Sequence, residues 1–384
     1  MKDLRMEDDS WFGSDDEREM AGKTCDPSLL ALDPDALFKD LRAAKGIVFA
    51  VSGGPDSVAL MLLVAEWAKA SRVPRLFVAT VDHGLRPESS EEAAQVARWA
   101  KALGLPHQTL TWEGTKPKTR IQERARDARY ALLDAYATAV GADTLITAHH
   151  ADDQAETVLF RLLRGSGIDG LAGMARRTQR GGIIHLRPLI DYPKEALIGI
   201  CEAHAQPLFR DPSNENSFFA RARLRQLLPV LAREGFDRDA LLRLARRATR
   251  IAEALDASAQ KLRATLPAKR TEGRATVTIA GLAGEPLELF MRVIAMEIEA
   301  LKSSRPLRLE RLETLASALH EALKNGSAWR GTLAGLAFDL NLEGSLTISP
   351  EKPRHRGRGS RAGTENSPSR EGVTSPCHDP VTSG

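Results

Sequence analysis

The sequence predicts an α/β fold in which a doubly wound parallel sheet is followed by a second, smaller and mainly helical domain. Three observations support this fold class. Apolar, strand-like runs alternate with long helical patterns between residues 45 and 232, which indicates a parallel sheet covered on both faces. A glycine-rich turn joins the first of these runs to a helical pattern. After residue 232 strand-like runs become rare, and apolar residues recur at intervals of three and four, as on helices.

Length and composition are those of an ordinary globular protein. The 384 residues allow two domains, and 42% hydrophobic with 27% charged residues is typical of soluble chains. The chain has no apolar run long enough for a membrane helix and no secretion signal at its charged N-terminus, so we expect a cytoplasmic location and no membrane partner. Cys25, Cys201 and Cys377 form no C-x-x-C pair, which argues against disulfide, zinc or iron–sulfur sites.

The elements of the sheet domain follow one another in a simple order. Residues 1–44 are an N-terminal extension with a short helix near 34–42. Strands are expected at 47–51, 76–82, 107–112 and 143–148, and a last strand near 184 precedes a helix and a connector. In a parallel sheet of this kind, ligands bind at the carboxyl ends of the strands.

The second domain is expected at 233–348. Its helical patterns lie at 241–262, 287–301 and 311–326, with short β-like pieces beside them at 275–282 and 331–342. From 349 to 384 the chain is rich in Pro, Gly, Ser and Arg, and we expect disorder there. The sequence contains no evident internal repeat.

The most informative motif is the glycine-rich turn after the first strand, Ser52-Gly53-Gly54-Pro55-Asp56-Ser57. Such a turn directs backbone N–H groups and the positive end of a helix dipole toward one point, where an oligophosphate binds. The turn lacks the lysine of a Walker A loop and has two hydroxyls and a carboxylate in its place. Because a carboxylate beside phosphates usually needs Mg²⁺ between them, we expect a nucleotide here and Mg²⁺ on Asp56. The alternative is an ordinary strand-to-helix turn.

Two other polar clusters follow predicted strands. Asp82 ends the second strand, and the sequence from His149 to Glu156 follows the fourth. If a helix begins near residue 152, Asp153 and Glu156 share one face at i, i+3, although capping of that helix is an alternative role for them. The pair His149 and His150 is weak evidence for a transition metal, because only carboxylates cluster with it.

Together these motifs resemble the PP-loop ATP pyrophosphatase superfamily, whose signature is SGGxDS. Within it, five elements in order are similar to the tRNA(Ile)-lysidine synthetase family: SGGPDS, VDHGLRPESSEEA, ERARDARY, TAHHADDQAETVLFRLLRGSGIDGL and RDPSNENSFFARARLRQLLPVL. The resemblance implies an adenine nucleotide α-hydrolase-like fold. It also implies a ligase that adenylates the wobble cytidine, position 34, of the CAU-anticodon isoleucine tRNA and lets L-lysine displace AMP, giving lysidine and pyrophosphate.

The resemblance further implies the roles of the site residues. ATP would be bound by the turn from Ser52 to Ser57, with Asp82 beside it. Asp153 and Glu156 would hold lysine, whose ammonium must lose a proton before attack. The expected catalytic residues are Asp56, Arg129, His149, Asp153 and Glu156. Residues 45–232 would then be the catalytic domain, and 233–348 would contact tRNA.

Arginines between residues 219 and 250 suggest an RNA-binding surface. Such clusters bind phosphates in a salt-dependent way, and we expect tRNA contacts from Arg221, Arg223 and Arg225; a solvated helix face is the alternative.

A second hypothesis for the chain is another PP-loop enzyme, for tRNA 2-thiolation or amide formation, but paired cysteines and a glutaminase domain are missing. A third is a catalytically silent RNA- or nucleotide-binding protein. No protein partner is evident, and a homodimer stays open.

Overall fold

The computed structural model describes residues 32–351, with gaps at 70–72, 86, 115, 117–120, 208–219, 303–304 and 306. Most of the expected N-terminal extension and nearly all of the expected disordered tail therefore lie outside the described residues. Contacts divide the chain into unit 1, Met1–Ser258, and unit 2, Ala259–Gly384.

Unit 1 contains the predicted parallel sheet. Its strands are β1 (Gly46–Ala50), β2 (Arg75–Asp82), β3 (His107–Thr111), β4 (Thr144–Thr147), β5 (Arg177–Arg180) and β6 (Ile183–Leu186). Their order is β3-β2-β1-β4-β6-β5, and every neighbouring pair is parallel except β5 with β6. This confirms the predicted fold class. The antiparallel edge strand arises from a two-residue turn, Gly181-Gly182, in which both glycines have positive φ, as tight hairpins require.

The helices of unit 1 cover both faces of this sheet, as expected. They are α1 (Pro34–Phe38), α2 (Pro55–Trp67), α3 (Ser89–Ala102), α4 (Ile121–Ala139), α5 (Ala151–Leu162), α6 (Ile168–Leu171), α7 (Lys194–Ala203), α8 (Ala220–Arg233) and α9 (Arg238–Thr265), which continues into unit 2. All five residues of β1 are buried, and α2 is buried from Ser57 to Trp67 except at Glu66. The turn between them is therefore held at both ends by the core.

A small core joins α5 to α8 and to the beginning of α9. Ala155, Val158 and Leu159 of α5 pack in one cluster with Leu224 of α8 and with Leu241 and Ala245 of α9. Because these contacts tie α8 and most of α9 to the sheet unit, the division falls after Ser258. The boundary expected at residue 232 lies within unit 1.

Unit 2 contains more sheet than we expected. Its helices α10 (Leu287–Ala300) and α11 (Leu309–Lys324) match predicted ones. Beside them is a sheet of β7 (Ala268–Thr271), β8 (Arg274–Thr278), β9 (Trp329–Leu333), β10 (Leu336–Leu340) and β11 (Ser345–Pro350), antiparallel throughout. Alternate residues of β10 are buried with both helices in one core. In the described part of the chain, none of the helices combines the length and apolarity needed to cross a bilayer.

Candidate active site

The glycine-rich turn after β1 is shaped by its own hydroxyl groups. Gly53 has φ of 89°, a left-handed conformation that favours glycine, and Gly54 precedes Pro55 at the start of α2. Ser57 Oγ accepts a hydrogen bond from Ser52 N at 3.1 Å and donates one to the Gly54 carbonyl at 2.9 Å. Proline fits the first helical position, where its missing N–H has no partner to lose.

Asp56 has the properties expected of a metal ligand. It lies in the first turn of α2, and its Oδ1 is buried without a hydrogen-bond partner among the described residues. A buried carboxylate oxygen without a partner is costly, and such oxygens are what Mg²⁺ prefers. The described residues contain no group of three or more His, Cys, Asp or Glu side chains that could hold a metal. The unpartnered Oδ1 of Asp56 fits a Mg²⁺ ligand in its chemistry, and Mg²⁺ binding there stays a prediction.

Asp82 lies where predicted, at the carboxyl end of β2, but it already has local partners. Its Oδ1 accepts hydrogen bonds from Ser89 Oγ at 2.6 Å and from Gly84 N at 2.8 Å. The Ser89 hydroxyl lowers the pKa of the Asp82 carboxyl, against the opposing effect of burial. Asp82 thus stabilises the turn that leads to α3, and its contact with a nucleotide stays a prediction.

Arg129 is a half-buried cation on α4. It makes no hydrogen bond or ion pair with another described residue. Burial and the nearby Arg126 lower the pKa of Arg129. Burial also lowers the pKa of His83, and the positive charge of Arg129 lowers it further. A guanidinium without an anionic partner is suited to a phosphate or another anionic ligand.

The segment after β4 begins α5 with two histidines. The ring Nδ1 of His149 lies 2.8 Å from Thr147 Oγ1, which fixes that ring beside the end of the strand. His150 is the N-cap of α5, and its backbone N–H donates to Asp153 Oδ2 at 3.2 Å. The helix begins at Ala151, close to the predicted start. The alternative capping role is therefore realised for Asp153, which still has a second carboxylate oxygen.

His150 is the central residue of this site, and sequence analysis assigned it no role. Its Nε2 lies 3.5 Å from both Asp56 Oδ2 and Asp153 Oδ2, and its Nδ1 lies 3.4 Å from Asp152 Oδ2. Burial alone would lower the pKa of His150, but these carboxylates raise it to about 10. Through its contacts with Asp56 and Asp153, the ring of His150 links the turn after β1 to α5. Adjacent His and Asp residues in the sequence were the only signal of this network.

Asp152, the neighbour of Asp153, has a structural role. Its Oδ2 accepts from Lys194 N at 2.9 Å, and its Oδ1 pairs with Arg238 Nη1 at 3.2 Å. These contacts and His150 hold the pKa of Asp152 well below its usual range, despite burial. Asp152 thus ties α5 to the first residues of α7 and α9.

Glu156 is paired with an arginine of the same chain. Both carboxylate oxygens accept from Arg225 of α8, Oε1 from Nε and Oε2 from Nη2 at 3.2 Å. Glu156 is buried, and its hydrogen bond raises the pKa of Arg225, as do the charges of Asp153 and Asp56. The two residues predicted to hold lysine, Asp153 and Glu156, thus lie near Asp56, with the Arg225 guanidinium already beside them.

The three arginines expected to contact tRNA differ in what the structure describes. Arg225 faces Glu156, Arg223 is exposed on α8, and the side chain of Arg221 lies outside the described part of the chain. The contacts of these arginines with tRNA therefore stay predictions.

Comparison with known proteins agrees with this geometry. A family model described as a PP-loop domain matches residues 30–231, so the fold and the turn define a PP-loop protein. The tRNA(Ile)-lysidine synthase of Methylobacterium sp. (strain 4-46) is 49% identical over 336 residues, which are 85% of this chain and 96% of that protein. Its counterpart from Rhodopseudomonas palustris (strain ATCC BAA-98 / CGA009) is 46% identical over 338 residues, with the same coverage of both chains. The chain belongs to the tRNA(Ile)-lysidine synthase family.

Among solved structures, similarity is weaker. The U34-tRNA thiolase NcsA from Methanococcus maripaludis with its [4Fe-4S] cluster matches with a TM-score of 0.48 and 17% identity, over 58% of this chain and 80% of that one. The relatives named above do not favour the alternative of tRNA 2-thiolation or amide formation.

Proposed function

We propose that the protein ligates L-lysine to C2 of the wobble cytidine, position 34, of the isoleucine tRNA that carries a CAU anticodon. The reaction consumes ATP, passes through an adenylated base and gives lysidine, AMP and pyrophosphate. The main support is the family itself, because relatives named for this enzyme align over 96% of their length. A cytoplasmic location agrees with this substrate.

ATP binding is assigned to the turn from Ser52 to Ser57. Backbone N–H groups at the start of α2 and the Ser52 hydroxyl suit the β and γ phosphates, which leave together as pyrophosphate, while the Ser57 hydroxyl donates to the Gly54 carbonyl and shapes the turn. Mg²⁺ held by Asp56 would neutralise part of the phosphate charge. Asp82, at the end of the adjacent strand, is assigned to the same nucleotide.

Lysine binding is assigned to Asp153 and Glu156. Free lysine arrives as an ammonium ion with a pKa of about 10.4, so the site must first bind the cation and then take a proton from it. Paired carboxylates on one helix face do both, since each accepts hydrogen bonds from the ammonium and either accepts the proton. The freed amine then attacks C2 of the activated cytidine, and AMP leaves.

Arg129 and His149 are assigned to the negative charge of the reaction. The half-buried guanidinium of Arg129 would face the α phosphate, and His149, held by Thr147, would face the activated base. Interactions of this kind accelerate a reaction when they are stronger in the transition state than in the substrate.

The test is incubation of the purified protein with ATP, Mg²⁺, labelled lysine and total tRNA. We expect label in one tRNA species, with AMP and pyrophosphate formed in equal amounts. Asp56→Ala should abolish pyrophosphate release. Arg98→Gln is the control, because this arginine is exposed on α3 and its guanidinium hydrogen-bonds to Gln95 of the same helix. Release of ADP and orthophosphate, or full activity of the Asp56 variant, would refute the proposal.

A further inference from the structure

The carboxylate assigned to lysine already holds a cation of the protein. The Glu156 side chain is 6% exposed, and both of its oxygens accept from the guanidinium of Arg225. An Arg–carboxylate pair of this two-point kind is strong and directional. A lysine ammonium therefore meets a carboxylate whose acceptor oxygens are both engaged.

The pair of Arg225 and Glu156 also avoids the free-energy cost of leaving the buried Glu156 carboxylate without a partner. A buried carboxylate without a partner is strongly unfavourable, and Asp153 and Asp56 add further negative charge around the same guanidinium. Arg225 thus supplies the positive charge that the acidic site needs when no lysine is present.

Arg225 is able to leave without disturbing the fold. Its side chain is 41% exposed, whereas its neighbour Leu224 is buried in the core with α5. The helix backbone therefore stays in place while the long side chain rotates into solvent. Glu156 is buried on α5, next to Ala155 of this small core.

We propose that Arg225 is an internal competitor of substrate lysine for Glu156: its guanidinium occupies the cation subsite and is displaced when the lysine ammonium binds. The inference rests on the proposed function, in which Glu156 binds lysine. It makes Arg225 a determinant of lysine affinity and gives it a role inside the site.

The central measurement is the lysine concentration that gives half-maximal incorporation into tRNA. An occupied site weakens apparent affinity in proportion to the fraction of molecules that are free to bind. If Arg225 occupies Glu156 in about nine of ten molecules, Arg225→Ala lowers the half-saturating lysine concentration about tenfold. Arg98→Gln should leave it unchanged. A higher or unchanged value in Arg225→Ala would overturn the inference, because Arg225 would then support Glu156 or play no part.

A second measurement does not depend on catalysis. Calorimetric titration with methylguanidinium should show binding to Arg225→Ala about tenfold tighter than to the parent protein or to Arg98→Gln, since in these two Arg225 occupies the guanidinium subsite in about nine of ten molecules. Arg225→Ser, which also leaves the subsite vacant and suits this partly exposed position, serves if the alanine variant unfolds. Failure of the parent protein to incorporate lysine would refute the proposed function. Incorporation by the parent, without tighter methylguanidinium binding to the Arg225 variant than to the parent, would refute the inference alone.

Discussion

The two glycines of the turn after β1 are neighbours, yet the structure predicts a loss of stability when Gly53 is replaced by alanine and almost no change at Gly54. Gly53 has φ of 89°, whereas Gly54 has φ of −71°. A side chain costs about 1–2 kcal/mol in the left-handed region. At Gly54 the nearest atom to an added Cβ is Ser52 Oγ at 4.0 Å, which is ordinary contact.

We therefore expect Gly53→Ala to reduce the free energy of unfolding by about 1–2 kcal/mol, which changes the folding equilibrium roughly five- to thirtyfold. Gly54→Ala should stay within about 0.5 kcal/mol of the parent, because the strain is absent there. The assay is urea denaturation of the full chain, with the variants compared by their midpoints at a common slope.

ATP binding, measured by calorimetry, provides the second half of this test. In Gly53→Ala the turn must relax away from its positive φ or remain strained, and either change moves the N–H groups that face the phosphates. Weaker ATP binding is expected even at low temperature, where the variant is folded. Equal losses of stability in the two variants would refute the backbone argument. Unchanged ATP affinity in Gly53→Ala would show that the phosphates do not depend on the shape of this turn.

Three other substitutions test the charges of the protein. Glu297 of unit 2 is buried and pairs with two arginines, which lower the pKa of its carboxyl from 4.5 although burial raises it. These ion pairs therefore stabilise the fold above about pH 4.5, and the stabilisation is lost as the pH falls through the lower pKa of the folded state. Glu297→Gln should accordingly be less stable than the parent at pH 7, with a smaller difference at pH 3, as measured by denaturant midpoints. Arg129→Gln breaks no hydrogen bond or ion pair with a described residue, so it should retain thermal stability but require about 10–100 times more ATP for half-saturation, as expected for loss of a charged hydrogen bond; a loss of stability with normal ATP affinity would contradict this. Asp152→Asn should lower the free energy of unfolding by about 1–3 kcal/mol, because the contacts with Lys194 and Arg238 weaken, and an unchanged denaturation midpoint would contradict that role.

The sequence predicts the sheet of unit 1 well because buried parallel strands leave a local signal. All residues of β1 and β4 are buried, so they form apolar runs that are visible without any tertiary information. Strands β5 and β7 have the opposite character, because every residue of each is exposed. Their sequences, Arg-Thr-Gln-Arg and Ala-Lys-Arg-Thr, resemble loops, and only pairing with a neighbouring strand makes them β structure.

The residues of the site differ in the same way in how far the sequence predicts them. The turn after β1 is contiguous in sequence, so its residues and their chemistry were predicted together. The pair Arg225 and Glu156 joins residues separated by 69 positions, and the link between His150 and Asp56 depends on two adjacent strands of the sheet. Neither has a local pattern, because the packing of α8 on α5 and of β4 beside β1 creates them.

The small core shared by α5, α8 and α9 determines where a recombinant fragment of unit 1 can end. A recombinant fragment that stops at residue 232 would lack Leu241 and Ala245, and the apolar side of α5 around Val158 would face water. It would also lack Arg238, the partner of Asp152. Such a fragment should be expressed poorly and aggregate, whereas one that extends to Ser258 retains these partners. Anyone who shortens this enzyme for inhibitor screening should therefore leave most of the long helix attached.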